Sequence, residues 1–230
     1  MEIDFSEGIN VFIGENGTGK THLLKLLYAA CQAARSDVYF QDKLTKVFRP
    51  DGIRFSRLVR KSLQENDKAS LVVYSEDASI QTQFSIEKGG WIEQVSDGEN
   101  SWESKFTGYS LFIPAKEILS LAYNFLEAQR VGNIDFDDTY ADIIAYAKVE
   151  VKQQTNTSSR KQLLNVLEKI LNGTVNIEKE KFYLMSESAG KLEFHLVSEG
   201  IRKIALLWQL IKNGTLDQGS VLFWDEPEAI

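Results

Sequence analysis

Lys20 and Thr21 close the run Gly14-Glu15-Asn16-Gly17-Thr18-Gly19-Lys20-Thr21. Its residue types suit one task, the holding of a phosphate. Spaced as G-x-x-x-x-G-K-[ST], such a run lets successive backbone N–H groups curl around an anion. The lysine reaches the β and γ phosphates, and the threonine hydroxyl ligates Mg²⁺. Gly14, Gly17 and Gly19 keep side chains out of the backbone's approach. Glu15, Asn16 and Thr18 complete the cradle. A second pair of residues, Asp225-Glu226, follows the apolar run Val221-Leu222-Phe223-Trp224. A carboxylate at the end of a buried strand helps to hold Mg²⁺ through its water shell. A carboxylate one residue further on can polarise the water that attacks a γ-phosphate.

These groups need elements to aim them. Ile9 to Ile13 reads as a buried strand entering the glycine run. Thr21 to Ala34 reads as a helix leaving it, with Leu23, Leu27, Ala30 and Ala34 on one face. Strand, loop and helix place the helix N-terminus, with its partial positive charge, under the phosphate. Ser220 to Trp224 reads as the strand that carries Asp225 to the carboxyl edge of an open sheet, where α/β folds put ligands. Met1 to Phe5 has the alternation of a short strand.

Between these ends the period changes repeatedly. Ser36 to Lys68 is polar and weakly periodic. Leu71–Tyr74 and Ile80–Ile86 alternate as strands, and Gly89-Gly90 reads as a hairpin turn before Trp91-Ile92. Tyr109–Ile113 reads as a buried strand closed by Pro114. Three helices follow. The first carries Ile118, Leu119, Ala122, Phe125 and Leu126, and the second carries Tyr140, Ile143, Ile144 and Ala147. The third is capped near Ser158-Ser159 and stops at Asn172-Gly173. Strands return at Phe182–Met185 and Leu192–Leu196. The last helix, from Glu199, carries Ile201, Ile204, Ala205, Trp208 and Ile211 and stops at Asn213-Gly214. The expected units are therefore a phosphate-loop unit at 1–35, a β layer at 69–113, a helical insertion at 115–172, and a closing unit at 174–230.

Composition bounds the rest. The chain has 230 residues, 43% hydrophobic and 26% charged, enough for one domain with a sizeable core. A net charge of −7 argues against a protein that coats nucleic acid along its whole surface. The single cysteine, Cys31, excludes an intrachain disulfide. It lies on an apolar helix face and is read as core packing in a reducing compartment. No apolar run is long enough to cross a membrane, and Met1–Phe5 lacks the form of a signal peptide, so a cytoplasmic protein is expected. Lys43, Lys46, Arg49, Arg54, Arg57, Arg60 and Lys61 form a basic cluster that could meet nucleic-acid phosphates, a solvated face being the commoner reading. Asp135, Asp137 and Asp138 read as helix caps in preference to a metal site. With only His22 and His195 present, no Ser/His/Asp arrangement can be built.

Val197-Ser198-Glu199-Gly200-Ile201 supplies a third motif, a Ser-x-Gly opening a helix shortly before the Asp225-Glu226 strand. With it the chain resembles the ABC-type ATPases. The order is phosphate loop, β layer, helical insertion, Ser-x-Gly helix and Walker B strand. Gly14–Thr21 together with Asp225-Glu226-Pro227-Glu228 looks like the ATP-binding heads of the RecF, SMC and OLD-type groups rather than transporter subunits. Phe112-Ile113-Pro114-Ala115-Lys116-Glu117 is similar to bacterial proteins known only as AAA-like ATPases. The resemblance implies an α/β P-loop NTPase, an ABC-ATPase-like head with an antiparallel β layer and a helical insertion.

It implies ATP and Mg²⁺ as ligand and cofactor. Lys20 and Thr21 would contact phosphates and metal, Asp225 would be a magnesium partner, and Glu226 the base. Ser198 and Gly200 would reach the γ-phosphate held by a second copy, so that a dimer closes over two nucleotides and hydrolysis drives a conformational switch. DNA maintenance or defence is the expected setting, with DNA and a nuclease or other effector as partners and no membrane insertion. A transporter ATPase subunit and a nucleotide-gated module with little turnover are the alternatives. The family has a glutamine after the strand corresponding to Tyr109–Ile113, where this chain has Lys116 and Glu117. It also continues past Walker B into a strand ending in a switch histidine, so the head reads as truncated at Ile230.

Overall fold

The computed structural model describes residues 2–34, 38–53, 68–75, 78–85, 92–94, 108–132, 135–150 and 157–228. Helix α1 (Lys20–Gln32) leaves the glycine loop and is followed by α2 (Phe40–Phe48). Strands β1 (Lys68–Ser75), β2 (Ala78–Ser85) and β3 (Ile92–Gln94) form an antiparallel sheet in that order. β4 (Ser110–Ile113) leads to three helices, α3 (Phe125–Arg130), α4 (Asp138–Ala147) and α5 (Ser158–Leu171). A second antiparallel sheet follows, β5 (Gly173–Glu178), β6 (Lys181–Ser186) and β7 (Gly190–Glu193). Helix α6 (Glu199–Asn213) and β8 (Val221–Trp224) come last among the described elements. The fold is mixed α/β with parallel and antiparallel sheets.

Positioning depends on the pair β4–β8. These strands are parallel, with Ser110 opposite Val221 and Ile113 opposite Trp224. Each face of the pair packs against a cluster of apolar residues, as parallel strands require. Leu111 and Ile113 join a core with α4, α5 and α6 residues such as Ile143, Leu167 and Leu210. Phe112 and Phe223 point the other way, into a cluster with Leu27, Tyr28 and Cys31 of α1 and Val47 of α2. The Tyr28 ring meets both phenylalanines edge-on, at 5.5 and 6.0 Å. Cys31 is core packing, as expected, and burial pushes its thiol up to about 12.

Polar pins lock the helices to this frame. Lys43 of α2 is buried yet bonded to Asp138 and Asp142 of α4, and Asp142 also accepts from the Tyr28 hydroxyl. Burial alone would pull Lys43 down, but the two aspartates hold it above its ordinary value. Burial pushes the Tyr28 hydroxyl well up, with Asp142 adding to it. Asp137 caps α4 by accepting from the Thr139 N–H at 2.9 Å, and Lys25 of α1 pairs with it at 2.7 Å. At the other end of α4, Gln209 and Asn213 of α6 donate to the Ala147 and Tyr146 carbonyls, which satisfies groups a helix end leaves open.

Several expectations change. Residues 9–13 are not a buried strand: Ile9, Val11 and Ile13 are 87, 73 and 93% exposed, and no described strand pairs with them. An apolar run becomes a strand only when a neighbour takes up its backbone groups. Here the local bonds are those of a turn, with Asn10 donating to the Ser6 carbonyl and accepting from the Ser6 N–H, both at 2.9 Å. Residues 2–5 are likewise not a strand. The segment 69–113 is divided, because β4 joins β8 instead of the antiparallel layer. The helix expected to carry Ile118, Leu119, Ala122, Phe125 and Leu126 and to stop at Gly132-Asn133 is broken into a 3-10 turn, Leu119–Leu121, and α3, with Asn124 left-handed at φ 58° between them. Residues 194–196 form a 3-10 turn rather than the end of a strand. Helix α2 and strand β5 were not expected. The Gly89-Gly90 turn, Trp91 and Ile86 lie outside the described residues, as do Arg54, Arg57, Arg60 and Lys61 of the basic cluster. Two of its remaining members are committed within the protein, Lys43 to its aspartates and Arg49 to Asp135 and the Phe136 carbonyl.

Candidate functional site

The glycine loop turns on two residues that L side chains disfavour. Gly17 and Gly19 sit at φ 81° and 96°, where glycine carries no steric cost. Thr18 tightens the turn, its hydroxyl donating to the Glu15 carbonyl at 2.8 Å. A methyl group on Gly14 would come within 3.0 Å of that hydroxyl. Residues 14–18 are exposed, so the loop presents its backbone outward. Helix α1 begins at Lys20 with no acidic residue in its first turn. Its N-terminal N–H groups and dipole therefore act on the loop with no carboxylate of that turn to offset them. The Lys20 ammonium lies over the loop, donating to the carbonyls of Gly14 at 2.6 Å and Glu15 at 2.9 Å.

Residues far apart in sequence meet at Thr21. Its hydroxyl donates to the Asp225 carboxylate, 3.0 Å from each oxygen. Asp225 is 8% exposed. Its backbone N–H donates to the Ile113 carbonyl at 3.0 Å, extending the β4–β8 ladder by one residue. The strand pair thus aims the carboxylate at the first turn of α1. A hydroxyl and one carboxylate beside a phosphate cradle suit Mg²⁺, which keeps several waters and takes few protein ligands. No cluster of three or more His, Cys, Asp or Glu residues suited to a metal occurs among the described residues. Of the three aspartates, Asp137 caps α4, and Asp135, Asp137 and Asp138 pair with Arg49, Lys25 and Lys43.

Glu226 follows directly and is exposed, at φ 52°. A non-glycine residue there is uncommon, and proline at the next position disfavours helical geometry further. Such conformations concentrate at functional sites. Ser198 occupies the N-cap of α6 but makes no side-chain capping bond, and it is exposed. Its hydroxyl is therefore not used as a helix cap. No hydrogen bond among the described residues joins Ser198 or Gly200 to the loop of the same chain. Thr21 and Asp225 are brought together; the Ser-x-Gly is presented separately, at the surface.

Two residues named from the sequence, Tyr140 as core and Glu117 near the place of the family's glutamine, have surroundings here that it did not show. The Tyr140 hydroxyl faces the Lys116 backbone. Burial raises it, with the Asp137 and Asp225 charges adding to the effect. This tyrosine of α4 therefore stands in electrostatic range of Asp225, beside the segment that follows β4. Its position on the apolar face with Ile143 and Ile144 gave only a core signal. Glu117, where the family pattern has its glutamine nearby, is 1% exposed in its side chain and pairs with Arg202 of α6 at 2.7 Å. Arg202 also donates to the Phe194 and Val197 carbonyls, at 3.1 and 2.7 Å. The turn before Ser198 is thus fastened to the chain after β4. Neither histidine is bonded to Glu226 among the described residues: the His22 ring lies tilted against Phe48, and His195 is exposed in its 3-10 turn. No helix among the described residues is long and apolar enough to cross a membrane.

Compared with known proteins, the chain matches a family model described as AAA domain over residues 1–193. No curated protein matches it. The matched stretch holds the glycine loop, Lys20, Thr21, β4 and the helices that carry Tyr140. Asp225 lies beyond it and is joined to it by the bond from Thr21. With the match covering most of its length, the chain belongs to the AAA domain family of P-loop ATPases.

Proposed function

We propose that this protein binds MgATP in the Gly14–Thr21 loop, hydrolyses it, and uses the cycle to close and open a dimer. The observation that supports the reading is the contact of Thr21 with Asp225, a hydroxyl and a buried carboxylate beside the Gly14–Thr21 loop. Backbone N–H groups of the loop and the Lys20 ammonium hold the β and γ phosphates. Thr21 and Asp225 would hold the metal, which when bound would supply positive charge to the phosphate oxygens. Glu226 accepts a proton from the attacking water.

Ser198 and Gly200 belong to the second copy's nucleotide. The exposed, uncapped serine hydroxyl supports this assignment. A switch acting in DNA maintenance or defence, with an effector on the same or another chain, is the setting we favour from the resemblance to RecF, SMC and OLD-type heads. Dimerisation tests the reading. With ATP and Mg²⁺, light scattering after size exclusion gives a dimer. Ser198→Arg, which crowds that surface, stays monomeric while its own loop still binds ATP, without the gain in affinity that dimerisation gives the wild type. A wild-type protein that stays monomeric at saturating ATP contradicts the dimer.

A further inference from the structure

The phosphate end of the site is fixed by Lys20, Thr21 and Asp225, but none of these says where the nucleoside goes. Thr21 turns toward Asp225, which marks the metal side. The next residue, His22, is rotated by about 100° around the axis of α1, so it faces away from that carboxylate, and it is exposed. Its ring lies against Phe48, the last residue of α2, with centroids 5.6 Å apart and planes tilted by 37°. Phe48 is half-buried and packs on the cluster of Leu27, Tyr28, Cys31 and Val47. The end of α2 is tied down as well, since the Lys25 ammonium donates to the Val47 carbonyl at 3.3 Å while it pairs with Asp137. The two rings therefore form an aromatic surface, anchored at Phe48, that begins at the first turn of the phosphate-binding helix, on the side turned from the metal.

We propose that His22 and Phe48 are the platform on which the base of the bound nucleotide stacks. The proposal rests on the MgATP reading of the loop. A nucleotide whose γ-phosphate lies toward Asp225 leaves its α-phosphate and ribose toward His22, within reach of this surface. Stacking on an aromatic side chain strengthens binding and tolerates any base, because every base has a π-face. The platform therefore contributes affinity for nucleotides as a class, and purine over pyrimidine only through the larger ring.

Two probes separate the base from the phosphates: MgATP, and magnesium tripolyphosphate, which has no base. Both are titrated calorimetrically into wild type, His22→Ala, Phe48→Leu and Lys20→Ala. His22 is on the surface, and leucine keeps most of the apolar volume at 48, so both variants are expected to fold; circular dichroism melts check this. The ring variants bind MgATP roughly 5- to 140-fold more weakly and bind tripolyphosphate as wild type does. Lys20→Ala loses affinity for both probes. If the ring variants bind MgATP normally while Lys20→Ala does not, the platform is wrong and the phosphate site stands. If the ring variants lose both probes equally, the rings support the loop and not a base, which also overturns the proposal. If Lys20→Ala changes neither probe, the reading of the loop itself fails.

Discussion

Glu226→Gln lowers the steady-state rate of phosphate release by about 10²–10⁴ while ATP still binds. Loss of a positioned general base costs that much, and the amide keeps the shape of the side chain. The position is prepared by structure on both sides. The N–H of Asp225 is held by the Ile113 carbonyl, so β8 ends at a fixed point. Glu226 then takes a left-handed backbone before Pro227. The surroundings hold it in a conformation its type disfavours, at a cost on the order of 1–3 kcal/mol. The exposed side chain lies next to the buried Asp225 in sequence, and under the proposed function the two carboxylates would divide the work, one toward metal and one toward water. A malachite-green assay of both proteins at saturating MgATP reads the rate, and equilibrium dialysis reads the binding. Undiminished turnover removes Glu226 from the chemistry.

Lys20→Ala weakens ATP binding by about 2–4 kcal/mol, roughly 30- to 700-fold in Kd. The lysine opens α1, where the helix dipole disfavours a cation, and no acidic residue of that turn compensates it. It is held by the carbonyls of Gly14 and Glu15. A cation in that place adds nothing the helix needs and much that an anion would need. The variant therefore keeps its melting temperature within a few degrees and loses the ligand. Equal affinity in wild type and variant contradicts the assignment of the loop.

What could be read from sequence was what is local. The glycine run, the helix after it and the strand ending in Asp225 each announce themselves within a dozen residues, and the structure joins the first and last through Thr21. The caps at Asp137 and Asn172 were legible for the same reason. Residues 9–13 show the limit: apolar alternation says strand, but pairing is supplied by another segment, and no described strand supplies it. Helix α2 was hidden by Lys43, which stands in its buried stripe with Phe40, Leu44 and Val47. That charge is tolerable only because Asp138 and Asp142 meet it from α4. In β5, Val175 alternates with polar neighbours after Gly173, a signal passed over beside the helix stop at Asn172. Tyr140 and Glu117 acquire their surroundings from β8 and α6, far along the chain. Ordinary core patterning could not mark them.

The bond between Thr21 and Asp225 makes one claim above the others, that metal and nucleotide are bound together at this point. Titration of ATP into wild type and Thr21→Ala, each with Mg²⁺ and with EDTA, tests it most directly. The account predicts that Mg²⁺ tightens ATP binding to wild type at least tenfold, and that most of this gain disappears in Thr21→Ala while the metal-free affinity stays close to that of wild type. Binding to wild type that is indifferent to Mg²⁺, or a gain from Mg²⁺ that survives intact in Thr21→Ala, would contradict it.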